Sequence, residues 1–192
     1  RIWIDPYTRI AGEDFIKGAA PRQISLIGSW LVNEENGTIT LGFADSGMKI
    51  ALFGVDKIDL SDRDRVREYF HTVHHEYCHI INQKKPYSDE FAKITPSGYT
   101  AVWSNHTDAE ALELGFISAY ARANNIEDFA EMTAHMLIMG KTAWDTKINA
   151  ITSATGKQAL RRKEAFVVRY FQDEWNIDFY ELQAEVQRKI QQ

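Results

Sequence analysis

The stretch His75-Glu76-Tyr77-Cys78-His79 sets two imidazoles four residues apart, with a carboxylate directly after the first. On a helix, residues at that spacing project from neighbouring turns of one face, so His75 and His79 can share a metal ion. Glu76 then stands beside the ion's open position, where it can take a proton from a bound water. One catalytic Zn²⁺ is the cofactor this pattern predicts. The same stretch carries His71 and His74, and the pairs His71/His75 and His74/Cys78 are also four apart. Only His75/His79 brings a carboxylate alongside in the right place.

The element that must position these groups reads as one amphipathic helix over residues 61–84. Ser61 is its expected N-cap, and Asp62 and Asp64 put negative charge at its positive end. Val66, Phe70, Val73, Tyr77 and Ile81 recur at three- and four-residue steps and form a core-facing stripe. Upstream, residues 23–53 are β-rich. Asn36-Gly37 is a hairpin signal and Ser46-Gly47 a second turn, which predicts a three-stranded antiparallel meander feeding the helix. An edge strand of such a sheet can hold an extended peptide. Residues 1–22 open with a short strand over Arg1–Asp5 and then read as a linker or N-terminal extension.

Downstream, residues 85–106 form a long connection in which Tyr99 and Trp103 either line a cleft or, more commonly for such aromatics, pin the loop to the core. A short helix follows over Thr107–Tyr120, then a second strong one over Ile126–Met139 that Gly140 stops. Thr142–Ser153, Thr155–Trp175 and Asp178–Ile190 read as three more, with capping boxes starting at Thr155 and Asp178. Arg161-Arg162-Lys163 reads as a solvated face. The expectation is one α+β domain over residues 1–192, a small antiparallel sheet packed on the motif helix and a mostly helical C-terminal part over 142–192.

Composition bounds the function. The 192 residues are 44% hydrophobic and 26% charged, ordinary for a globular protein, and the net charge of −5 argues against nucleic acid as a partner. Cys78 is the sole cysteine, so no internal disulfide forms, and it reads as a small buried side chain. No apolar run reaches the roughly 18 residues of a membrane span. The start at Arg1, without methionine or signal-like segment, suggests a processed protein or a piece of a longer one.

A catalytic zinc takes three protein ligands, so one more must come from elsewhere. His106, His135 and a carboxylate on the second helix are the candidates. Lys85 occupies the position six residues after His79 where an HExxHxxGxxH extension would put a histidine. Glu127 and Glu131 are four apart on one face. The first can bind metal while the second holds a ligand histidine by its other ring nitrogen, or Glu127 is a first-turn charge favoured by the helix dipole. His106 reads as a loop or helix-cap residue.

The arrangement resembles the glutamate-zincin peptidases, whose glutamate helix often reads Glu-x-Phe-Ala or Glu-x-x-x-Asp/Glu. Glu127-Asp-Phe-Ala-Glu131 matches both forms. It is similar to the anthrax lethal factor protease domain in having a tyrosine, Tyr120, seven residues before the glutamate. The runs Ile-Ser-Leu-Ile-Gly-Ser, Leu-Gly-Phe-Ala, Lys-Ile-Ala-Leu, His-His-Glu-x-x-His-Ile-x-x-Gln and Glu-Asp-Phe-Ala-Glu, between Ile24 and Gly140, resemble a family of zinc metallopeptidase lipoproteins from Bacteroidetes-type bacteria. That family is associated with TonB-dependent outer-membrane importers and their substrate-binding lipoproteins. The resemblance implies a zincin-like fold, zinc held by His75, His79 and Glu127, and catalytic help from Tyr120; Glu131 and His74 are then expected behind the ligands, with His71 and Cys78 as bystanders or similar neighbours. It also implies export to the outer membrane, cell surface or periplasm, with membrane attachment only through a lipid anchor upstream of Arg1. The expected activity is zinc-dependent hydrolysis of a peptide or protein substrate. The rivals are a non-catalytic, metal-stabilised accessory module of a nutrient-import complex, and a hydrolase of non-peptide amides or esters.

Overall fold

In the computed structural model, which describes residues 1–192, the chain opens with two helices where a strand and an extension were expected. They are α1 (Ile4–Ala11) and α2 (Glu13–Ala19), joined at Gly12, whose φ of 85° turns the chain. Trp3, Tyr7 and Ile10 fall at helical spacing and face the core. Tyr7 is fully buried, stacked on Phe15 and edge-on to Tyr77, with ring centroids 5.8 and 4.9 Å away. This segment is therefore part of the packed protein and not a linker.

Five strands follow: β1 (Gln23–Ile27), β2 (Leu31–Val32), β3 (Ile39–Thr40), β4 (Gly42–Asp45) and β5 (Lys49–Phe53). The expected antiparallel meander is corrected to a mixed sheet in the order β1-β5-β4. β4 and β5 pair antiparallel around Ser46-Gly47, with Asp45 opposite Lys49, whereas β1 runs parallel to β5 with Ile24 opposite Ile50. β2 and β3 form their own hairpin across the Asn36-Gly37 segment, with Leu31 opposite Thr40. The cause is a corner at 28–30, which splits the apparent long strand at 23–32. There the Gly54 amide donates to the Ser29 carbonyl at 3.1 Å, and a Cβ on Gly54 would sit 2.3 Å from the Trp30 ring. Only a glycine lets Trp30 fold over the end of β5 and so bring β1 alongside it. β1 and β4 are the edges, and β4 with β5 packs on the motif helix.

That helix is α3 (Arg63–Lys84). Asp62 caps it in place of Ser61, its carboxylate accepting from the Asp64 and Arg65 amides at 3.0 and 3.2 Å. Every residue from Thr72 to Asn82 is buried, so the motif lies in the interior half of the helix. The helix expected over 107–120 is shorter. α4 (Asp108–Glu113), started by a Thr107/Glu110 capping box, ends before Gly115, where φ is 87°. Tyr120 lies instead in a single 3₁₀ turn, Tyr120–Arg122.

α5 (Asn125–Asn149) is capped by Asn124 and broken at Gly140, where φ is 74° and ψ 165°. The carbonyls freed at the break accept from α7 (Phe179–Ile190): Gln183 Nε2 reaches Met136 O at 2.6 Å, and Gln187 Nε2 reaches Leu137 O and Ile138 O at 2.7 and 2.9 Å. α6 (Ala154–Trp175) starts at Ser153 and not at the Thr155 box, while Asp178 caps α7 as expected. The expected solvated face at 161–163 is corrected. Lys163 is fully buried with its Nζ 2.6 Å from the Asp128 carboxylate, because it shares an inward stripe of α6 with Leu160 and Val167. No helix is long and apolar enough to cross a membrane.

Candidate metal centre

α3 and α5 cross in opposite directions, so His79, His75 and His71 descending one helix meet Glu127, Glu131 and His135 ascending the other. His75 Nε2 and His79 Nε2 are 3.0 Å apart, and Glu127 Oε2 is 3.0 Å from the first and 3.3 Å from the second. Ligands about 2.0–2.1 Å from a tetrahedral zinc stand roughly 3.3 Å from one another, so these three atoms have the mutual spacing of ligands to one ion. Two imidazoles and a carboxylate also make the borderline donor set zinc favours.

Glu131 stands behind His75. The Nδ1–H of His75 donates to Glu131 Oε1 at 2.9 Å, which turns Nε2 toward the shared point. Ser118, which no sequence motif marks, donates to Glu131 Oε2 at 2.5 Å and accepts from the Ala121 amide at 3.1 Å. It thereby ties the Tyr120 turn to the carboxylate. Glu76 is 5% exposed, and its Oε2 has no protein partner. Burial, outweighing the neighbouring histidines, raises its pKa above the ordinary carboxylate range. A cavity of about 270 Å³ lies over it, bounded by Leu41, Gly42, His75, Trp103 and Tyr120. Gly42 is the second residue sequence reasoning missed: a Cβ there would meet Glu76 Cγ at 2.8 Å and Oε1 at 3.0 Å. Edge strand β4 therefore passes directly against the catalytic candidate.

Of the other residues singled out from sequence, Tyr120 is brought to the centre, its ring 5.9 Å from that of His75 and 4.9 Å from that of Trp103. Burial and then the Glu127 charge push its hydroxyl pKa up, so it remains a proton donor. Trp103 lines the cavity, whereas Tyr99 pins its loop by donating to Asp128 at 2.9 Å. His106 sits beside Glu110 at 3.9 Å, as a loop histidine. His135 joins Glu131 and His71 and not the first centre. The placing of His74 behind a ligand is corrected: it lies about 100° around α3 from His75, its ring is 6.0 Å from that of Tyr7, and neither ring nitrogen touches a ligand. Burial lowers its pKa to about 3 and keeps it neutral. Cys78 is buried, its thiol pushed up to about 12 by that burial.

Electrostatics give this centre a pH signature. Burial would lower the His75 pKa, but hydrogen bonds to Glu127 and Glu131 outweigh it and raise it to about 10. Burial likewise would raise Glu127, and the two histidines instead hold it well below the carboxylate range. In metal-free protein the raised His75 pKa contributes stability that is full below about 6.5 and lost as pH rises through about 10. Zinc binding must displace that same proton, so affinity should move the other way, weakening about ten-fold per unit as pH falls from 9 to 6. Calorimetric titrations of zinc in two buffers of different ionisation enthalpy should show the proton released. An affinity flat across that range would contradict the assignment.

Fold and site together describe an α+β protein with a two-histidine, one-glutamate centre suited to a divalent metal ion. The chain belongs to the family described as putative zinc-binding metallo-peptidase, whose pattern matches residues 1–180. It is similar, at 31% identity and a TM-score of 0.80, to the crystal structure of a putative zinc-binding metallo-peptidase from Bacteroides caccae, a match covering 98% of this chain and 72% of that one. No curated protein matches the chain in sequence.

Proposed function

We propose that the protein is a zinc-dependent peptidase of the glutamate-zincin type, with His75, His79 and Glu127 as ligands and Glu76 as general base. The observation that carries this is the convergence of the three donor atoms, 3.0–3.3 Å apart, beside a buried carboxylate oxygen that has no protein partner. Zinc bound there would supply Lewis acidity toward the scissile carbonyl and toward water near neutral pH.

The chain's own residues do the rest. Glu76, with its pKa raised by burial, accepts a proton from the attacking water and returns it to the leaving amine. Tyr120 donates a hydrogen bond to the oxygen on which negative charge develops. Glu131 holds His75 in the tautomer that keeps Nε2 free. Edge strand β4 offers unpaired backbone groups, and an extended peptide added to it passes Gly42 and so crosses Glu76. That geometry favours a peptide over a compact ester or amide.

Incubating the zinc-loaded protein and its Tyr120→Phe variant with a peptide library tests this. The parent should cleave, and the variant should lose about 10²–10³-fold in kcat, as removal of one oxyanion donor does elsewhere. KM should change little. No cleavage by the loaded parent, or equal kcat in the two proteins, would count against the mechanism.

A further inference from the structure

The ladder between α3 and α5 has a third rung that the peptidase reading leaves unused. We propose that His71, Glu131 and His135 form a second cation site, for zinc or a similar borderline dication, one helical turn from the first. One ligand atom from each of the three lies within 4.8 Å of the others. His71 Nε2 is 3.5 Å from Glu131 Oε1, and His135 Nε2 is 3.4 Å from Glu131 Oε2. These separations are long for hydrogen bonds but near the roughly 3.3 Å edge of a tetrahedral zinc.

Two independent observations point to a ligand. His71 Nε2 is buried without any hydrogen-bond partner, although a carboxylate lies beside it. A buried ring nitrogen left so is costly, and coordination would satisfy it. The second is charge. Glu76, Glu127 and Glu131 are all buried or nearly so within this crossing, with side-chain exposures of 19% for Glu127 and 6% for Glu131. One dication compensates two carboxylates. A second, bound at Glu131, would compensate the third without loosening its grip on His75 Nδ1. His71 and Glu131 also border the cavity over Glu76, which leaves a way in for the ion.

Zinc content after dialysis decides the matter, measured on the full chain, His135→Asn, His71→Asn and the double variant His79→Ala/Glu127→Ala. The parent should retain about two equivalents, and each of the other proteins about one. Removing His79 and Glu127 leaves the second site's ligands in place, so its remaining ion should disappear when His135→Asn is added. A single equivalent in the parent, lost with His79→Ala/Glu127→Ala and untouched by His135→Asn or His71→Asn, overturns the inference and leaves the peptidase reading standing. A single equivalent with the opposite dependence sustains the second site and sinks the first. A parent that holds no zinc overturns both.

Discussion

Replacing Glu76 with Gln should leave zinc content unchanged and lower peptide hydrolysis by about 10²–10⁴-fold, the usual contribution of a general base. The separation of the two effects follows from the geometry. Glu76 is not among the three converging donor atoms, so its charge is not needed to hold the ion. Its carboxylate is needed to take a proton, which an amide cannot do. Glutamine is also the substitution that disturbs the site least, since it keeps the length and shape of the side chain that the Gly42 backbone closely approaches. In metal-free protein the same change should be neutral or slightly stabilising, since burial already disfavours the Glu76 charge. Glu127→Gln makes the contrast: it should lose zinc and hydrolysis together. Steady-state cleavage beside metal analysis reads both, and an E76Q protein cleaving within about ten-fold of the parent would remove Glu76 from the base role.

The pair His75/His79 and the pair Glu127/Glu131 were legible because i,i+4 spacing on a helix fixes which side chains share a face. How the two helices meet was not legible, since their register depends on the 40-residue connection between them. The sequence nevertheless holds a sharper signal. His71, His75 and His79 form one stripe and Glu127, Glu131 and His135 another, so each helix presents a whole ladder of donor groups and not a single pair. The same reasoning excludes His74 from that stripe. Ser118 and Gly42 act through contacts distant in sequence, a hydrogen bond and a close backbone approach, and carry no local pattern. The parallel pairing of β1 with β5 is non-local too, whereas the β4–β5 hairpin is set by the adjacent Ser46-Gly47 turn.

Lys163→Met should cost about 3–5 kcal/mol, the penalty for leaving one partner of a buried ion pair alone. Nζ of Lys163 is 2.6 Å from Asp128 Oδ2, 2.8 Å from Gly115 O and 3.7 Å from the Phe116 ring centre, and both side chains are fully buried. Burial outweighs the mutual attraction, leaving Asp128 raised to about 6 and Lys163 lowered even with each charge supporting the other. Methionine matches the lysine stem and withdraws only the charge and its hydrogen bonds. At about 2–4 °C per kcal/mol for a protein of this size, the melting midpoint should fall by roughly 6–20 °C. The consequence should reach the candidate metal centre, because Asp128 follows Glu127 on α5 and the Gly115 carbonyl leads the segment that carries Ser118 and Tyr120. Helix α6 thus holds both walls of the site through one ammonium group. Asp128→Asn/Lys163→Met, with neither charge left, should recover part of the loss, since no uncompensated charge then remains buried. A single variant melting within about 2 °C of the parent, or a double variant no better than the single, would show that the pair does not anchor the site.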